Sequence, residues 1–288
     1  MRPAAPDPAA GIGVFDSGIG GLTVLRALRR SLPPAERLIY LGDTARVPYG
    51  IRSSETVVRY ALEGARFLSR RGIKTLVLAC NTMSAVALPD LKRDVQVPVV
   101  GVIGPGAEAA CRATRGGTIG VIGTAATIAS GAYERAISSH LPAARVQSRA
   151  CPLFVPLAEE GWVDNDVARA AAEAYLGGWR GSGIDTLVLG CTHYPLLKKV
   201  IGHAVGPGVA LIDSAEATAE VVRERLRERG LLRQEDRGAD GGPRVDGACG
   251  PDGGDQFFVT DFSERFREVG ARFLGRPLAS LERVDLLG

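Results

Sequence analysis

Eight short apolar runs punctuate the chain, and longer segments of helical spacing follow most of them. They are GIGVFD at 11–16, RLIYLGD at 37–43, TLVLAC at 75–80, VPVVGVI at 97–103, TIGVIG at 118–123, DTLVLGC at 185–191, VALIDS at 209–214 and QFFVTD at 256–261. Unbroken Val, Ile and Leu runs of this length, separated by helices, are strands of a parallel sheet, because helical crossovers cover both faces of such a sheet. The pattern predicts an α/β fold. Most runs end on Gly, Asp, Cys or Ser, so small, polar or reactive side chains collect at the carboxyl edge, where open α/β sheets bind ligands.

The pattern also repeats. TLVLACNT (75–82) and TLVLGCTH (186–193) are near copies, Cys191 following Cys80 by 111 positions, and Gly120-Val-Ile-Gly123 follows Gly13-Val-Phe-Asp16 by 107. A period of this length is a duplicated domain, since solenoid repeats are far shorter. Two pseudo-symmetric α/β domains are expected, 11–103 together with 213–288 and 104–212; if they face one another, the site lies in the cleft between them.

Composition narrows the function. A chain of 288 residues, 45% apolar and 23% charged, has room for two cores. No apolar run approaches the ~18 residues of a membrane helix. Residues 1–10 have neither the basic start nor the apolar centre of a secretory signal, which points to a cytoplasmic protein that does not engage membranes. The net charge of +3 arises from 35 basic and 32 acidic residues, well mixed, so the chain lacks the basic footprint of a nucleic-acid binder. Five cysteines without a CxxC pair (Cys80, Cys111, Cys151, Cys191, Cys249) argue against a disulfide framework and against a zinc knuckle. From Gly230 to Asp255 the chain turns to Gly, Asp, Arg and Pro, a composition too polar to pack. A flexible surface excursion is expected there, with Cys249 as an exposed, incidental thiol.

Three strand ends carry chemistry. Asp16-Ser17-Gly18-Ile19-Gly20-Gly21 is a glycine-rich turn whose amides can hold an anion, though it lacks the GK[ST] ending of a phosphate loop. Its glycines also suit a plain tight turn, but a carboxylate at a buried strand end needs a partner. Cys80-Asn81-Thr82 and Cys191-Thr192-His193 each put a thiol beside hydrogen-bonding groups, which makes a usable base or nucleophile. One such cysteine is as well explained by the core, where free Cys is common. Two at equivalent points of facing halves suit a reaction that removes a proton from one face of a carbon and returns one to the other. Asp16 and His193 are the natural auxiliaries, able to orient or tune a thiol. Glu159, after the strand-like Phe154–Leu157, is either a third auxiliary or an ordinary exposed acid. Ser17, Asn81, Thr82, Thr124, Thr127, Thr192 and the amides of Tyr49-Gly50 are candidate donors for a small carboxylate ligand. The loop GDTARVPYG (42–50) is a candidate cleft wall.

Taken in order, GVFDSGIGGLTVL (13–25), YLGDTARVPYG (40–50), ACNTMSA (79–85), GVIGPG (101–106), FVPLAEEG (154–161), LGCTHYPLL (189–197) and FVTDFSERF (258–266) resemble the successive motifs of bacterial glutamate racemases. The resemblance implies a cofactor-independent racemase of glutamate that supplies D-glutamate for peptidoglycan, often a homodimer, binding no metal. It makes Cys80 and Cys191 the acid/base thiols, Cys80 acting on the D-enantiomer and Cys191 on the L-enantiomer. Asp16 and His193 assist, and Glu159 lies near the second thiol. Binding positions fall at Asp16, Ser17, Tyr49, Gly50, Asn81, Thr82, Thr192 and His193. Two features depart from the family pattern: Ala126 stands where Gly is frequent, and the excursion after Gly230 is long. Related aspartate racemases usually read Cys-Thr-Glu at the second thiol, so Cys-Thr-His-Tyr favours glutamate. The competing readings are an aspartate racemase, a non-catalytic dicarboxylate-binding protein, and a thiol oxidoreductase that would need a Cys80–Cys191 bridge.

Overall fold

The computed structural model describes residues 7–233, 254–278 and 280–286. The chain begins β1 (Gly11–Asp16), α1 (Leu22–Ser31), β2 (Leu38–Gly42), α2 (Ser54–Ser69), β3 (Ile73–Leu78), α3 (Asn81–Asp94), β4 (Val99–Gly101) and α4 (Ile103–Ala113). It continues β5 (Thr118–Gly123), α5 (Ala125–Ala129), α6 (Ala132–His140), β6 (Arg145–Ala150), α7 (Phe154–Glu160), α8 (Asp166–Leu176), β7 (Thr186–Gly190), α9 (Lys198–Val205) and β8 (Ala210–Asp213). It closes with α10 (Ser214–Glu228), β9 (Gln256–Val259), α11 (Glu264–Leu274) and β10 (Glu282–Arg283).

All eight apolar runs form strands, in two sheets ordered β10-β9-β2-β1-β3-β4 and β6-β5-β7-β8. Every pairing is parallel. The order 2-1-3-4 of the first sheet recurs as 6-5-7-8 in the second, which is the duplication expected from the repeated motifs. β9 and β10 extend the first sheet beyond β2 after the chain has returned from the second half. Cys80 and Cys191 therefore follow equivalent strands, β3 and β7.

The TLVL segments are structural. Leu76, Val77 and Leu78, like Leu187, Val188 and Leu189, are wholly inaccessible, and each such side chain contributes roughly 1.5–3 kcal/mol by leaving water. Helix starts are set by side-chain caps: Ser53 accepts from the amide of Thr56 at α2, Asn165 from Ala168 at α8, and Asp213 from Ala215 at α10. At the amino end of β3, remote from the thiols, Lys74 is buried against Glu36, with Nζ 2.7 Å from Oε2. The same ammonium donates to the carbonyls of Pro8 (2.9 Å) and Leu231 (2.8 Å).

The structure differs from expectation at three places. Residues 154–157 are helix, not strand: Phe154, Leu157 and Ala158 are buried on one side of α7, and Pro156 falls in the first turn, where its missing N–H costs nothing. β6 went unseen because it is an edge strand with no fully buried residue and the polar sequence RVQSRA. The described ends of the 230–255 stretch pack: Leu231 is buried, and buried Asp255 pairs with Arg29 and Arg276. Residues 234–253, with Cys249, lie outside the described residues. No described helix is long and apolar enough to cross a membrane.

Candidate active site

The carboxyl edges of the two sheets face one cavity of about 440 Å³. Its wall includes Asp16, Ser17, Tyr49, Gly50, Cys80, Asn81 and Thr82 from the first half, and Thr124, Glu159, Cys191 and His193 from the second. Thr127 and Thr192, expected as ligand donors, stand behind the wall. Thr127 is buried in a triangle of hydroxyls with Thr82 (3.2 Å) and Thr124 (3.0 Å), and Thr192 Oγ1 lies 3.3 Å from His193 Nδ1. These two shape the site through neighbours.

Cys80 caps the amino end of α3. Its sulfur accepts from the Ser17 hydroxyl at 3.3 Å and from the Met83 amide at 3.5 Å. Burial, reinforced by the charge of Asp16, outweighs these donors and pushes the thiol up to about 12. At neutral pH Cys80 is therefore a neutral thiol, a proton donor. Asp16 is buried at the end of β1, where its Oδ2 accepts from the Gly18 amide at 3.0 Å. Burial raises its carboxyl, while the amides of Gly21, Gly18 and Ser17 and the charge of His193 pull it back.

The second thiol has a different neighbourhood. Cys191 Sγ lies 3.8 Å from His193 Nδ1, and His193 Nε2 lies 3.0 Å from Glu159 Oε1. The ring is edge-on to Phe273, with centroids 4.9 Å apart. Burial would lower the imidazole, but its hydrogen bonds to Cys191 and Glu159, and their charges, override it and raise it to about 10. The free site thus holds an imidazolium against the Cys191 sulfur. α7 ends immediately beyond Glu159 and Glu160 because Gly161 takes φ +76°, a left-handed conformation that favours glycine.

The glycine-rich turn makes this proximity possible. A Cβ on Gly20 would stand 2.1 Å from Thr192 Oγ1 and 2.6 Å from the His193 ring. Only a residue without a side chain lets the first half approach so closely. Thr23 Oγ1 seals the contact by donating to the Thr192 carbonyl at 2.9 Å. The loop after β2 is fixed by buried Asp43, which accepts from Arg46 Nε (2.7 Å), from Thr260 Oγ1 (3.0 Å) and from the Tyr49 hydroxyl. That places Tyr49 and Gly50 on the wall with the phenol already engaged; the Val47–Pro48 peptide is cis.

The 42–50 loop forms part of the wall, as expected, through Thr44, Val47, Pro48, Tyr49 and Gly50, whereas Asp261, Phe262, Ser263, Arg265, Phe266 and Val269 from the approach to α11 and its first turns, and Val155, escaped the sequence reading. The available signal was the end of the QFFVTD run, which puts residues 260–263 at the same carboxyl edge. Arg265 on this wall pairs with Glu160 at the end of α7. Cys80, Cys111, Cys151 and Cys191 are all free thiols, and no group of three or more His, Cys, Asp or Glu among the described residues is placed to hold a metal ion.

With this geometry established, residues 12–222 match the family model described as Asp/Glu/Hydantoin racemase. The glutamate racemase of Geobacter metallireducens is 54% identical over 279 residues, covering 97% of this chain and 98% of that one. The crystal structure of glutamate racemase from Thermus thermophilus in complex with β-chloro-D-alanine superposes with a TM-score of 0.83 at 48% identity, over 98% of this chain and 99% of that one. The Francisella tularensis glutamate racemase, solved in complex with D-glutamate, gives a TM-score of 0.85 at 37% identity, over 97% and 98% of the two chains.

Proposed function

Because this chain belongs to the Asp/Glu/Hydantoin racemase family, we infer that it interconverts L- and D-glutamate by proton transfer at the α-carbon between two thiols, supplying D-glutamate for peptidoglycan. The observation that carries this reading is the placement of Cys80 and Cys191, each after the equivalent strand of a repeated unit, on the wall of one cavity.

In the L-to-D direction the Cys191 sulfur takes the α-proton, with the His193 imidazolium compensating the charge beside it. The electron pair stays on the α-carbon, which flattens and delocalises into the adjacent carboxylate. Neutral Cys80 then gives its proton to the opposite face, leaving D-glutamate, a thiolate at Cys80 and a thiol at Cys191. The reverse reaction exchanges these roles, and solvent protons reset the pair. Groups positioned this way contribute about 10²–10⁴-fold each. The buried cavity strengthens every charge interaction within it. Ser17 and Asp16 attend the first thiol, and His193 with Glu159 attend the second. Asn81, Thr82, Thr124 and the Tyr49–Gly50 backbone hold the carboxylates, with Thr127 and Thr192 supporting them from behind.

The same reading divides the chain into domains at 11–103 with 213–288 and at 104–212. In support, every strand of the first sheet falls in the first set and β5 to β7 in the second. It extends to a cytoplasmic homodimer. The high identity to glutamate racemases favours glutamate over aspartate. Polarimetry of purified protein, with no pyridoxal phosphate added, separates the alternatives: either enantiomer of glutamate decays to zero rotation, while aspartate changes far more slowly. Preferential turnover of aspartate, or glutamate binding without any optical change, would replace this reading with one of its competitors.

A further inference from the structure

We propose that Thr23 is a positioning residue for the second thiol: its hydroxyl, reaching across from α1, holds the Cys191-Thr192-His193 turn by its middle carbonyl. The inference rests on the racemase reading above. Beyond β7 the chain enters a tight turn in which amides donate to carbonyls three residues back. The Tyr194 amide donates to the Cys191 carbonyl at 3.2 Å, and the Leu196 amide to the His193 carbonyl at 3.2 Å. Between them the series has a gap, because residue 195 is proline and has no N–H to offer the Thr192 carbonyl. That carbonyl belongs to the peptide joining Thr192 to His193, so whatever fixes it fixes the backbone from which the imidazole projects.

Thr23 fills the gap from the other sheet's side. It lies in the first turn of α1, almost wholly buried, with Oγ1 2.9 Å from the Thr192 carbonyl and 2.9 Å from that of Gly20. A carbonyl oxygen can only accept, so the hydroxyl is the donor here. The Gly20 carbonyl already receives the Thr23 amide at 3.0 Å, whereas the Thr192 carbonyl lacks the amide that Pro195 cannot supply. A buried carbonyl without a donor is costly, which draws the hydroxyl proton to the Thr192 side. Glycine at position 20 lets α1 come close enough for this, since a Cβ there would overlap Thr192 and His193. The hydrogen bond thereby ties His193, 3.8 Å from the Cys191 sulfur and 3.0 Å from Glu159, to the half that carries Cys80.

The test compares Thr23→Val, Thr23→Ala and Thr23→Ser in the full chain, by steady-state kinetics and by NMR titration of the His193 ring. Valine keeps the branched shape and loses the hydroxyl; serine keeps the hydroxyl. Thr23→Val should lower kcat/KM about 10- to 100-fold, equally in both directions because the enantiomers have equal free energy. It should also move the His193 midpoint down from about 10 as the contacts with Cys191 and Glu159 slacken. Thr23→Ser should stay close to wild type in both readouts. Alanine and serine differ by the one oxygen, so Thr23→Ala against Thr23→Ser repeats the comparison should the valine variant not fold. Wild-type kinetics without the hydroxyl, an activity loss that leaves the His193 midpoint where it was, or a serine variant as impaired as the others would each overturn the proposal. Failure of the wild-type chain to racemise glutamate would instead sink the underlying functional reading, and the His193 titration would still report whether Thr23 holds the turn.

Discussion

Glu159 Oε1 lies 3.0 Å from Nε2 of His193, so the imidazole meets the cavity already oriented, with Nδ1 turned toward Cys191. The carboxylate is also one of the causes that raise the imidazole to about 10. Glu159→Gln should keep a hydrogen bond but lose the charge, moving the His193 titration down toward its ordinary value near 6.5. An NMR titration of the His193 ring protons measures this directly, and an unmoved midpoint would remove Glu159 from the machinery.

Replacing the imidazole should have a directional signature. With Cys191 as the base toward L-glutamate, His193→Asn should lower kcat for L-to-D turnover about 100-fold and D-to-L turnover less. Equality of kcat/KM in the two directions then requires KM for L-glutamate to fall relative to that for D-glutamate. Initial rates from each enantiomer decide it; equal losses of kcat would show that His193 does not serve one thiol in particular.

Stability should follow the same proton. His193 holds it up to about pH 10 when folded and only to about 6.5 when unfolded. The contribution is therefore whole below about pH 6.5 and is lost as pH climbs toward 10. Cys80, raised to about 12, extends the loss above pH 9, where the unfolded thiol ionises first. Tm should fall steadily from pH 7 to 10, and His193→Asn should flatten that slope. A parallel slope in the variant would contradict the assignment.

Gly20 is open to a purely steric test. Its Cβ would overlap Thr192 and His193, and overpacking of a buried contact costs about 1–3 kcal/mol. Gly20→Ala should lower stability by that amount in urea unfolding and cut kcat/KM more than tenfold by displacing His193. Wild-type kinetics in the variant would mean that the two halves can separate there without consequence.

Much of this was legible along the chain. Strands β1 to β5, β7 and β9 announce themselves because burial forces largely unbroken apolar runs, β8 shows its run although it is a half-exposed edge strand, and the paired cysteines follow from the repeat. What was hidden depended on neighbours rather than on local pattern. RVQSRA reads as no strand because β6 lies at an edge with neither face fully buried. FVPL (154–157) reads as a strand until the spacing of Phe154, Leu157 and Ala158 is weighed as one helical face. The wall around Asp261 to Val269 arises because the chain returns from the second half to add β9 beside β2; the end of the QFFVTD run pointed to residues 260–263, but nothing local marked Arg265, Phe266 or Val269.

The central claim, two thiols acting on opposite faces of one carbon, is tested most directly by early-time racemisation of L-glutamate in D₂O. The account predicts that newly formed D-glutamate carries solvent deuterium at the α-carbon while remaining L-glutamate is still protiated, and that Cys80→Ala and Cys191→Ala each abolish racemisation. Product that retains the substrate's own α-hydrogen, or racemisation that survives the loss of either thiol, would contradict it.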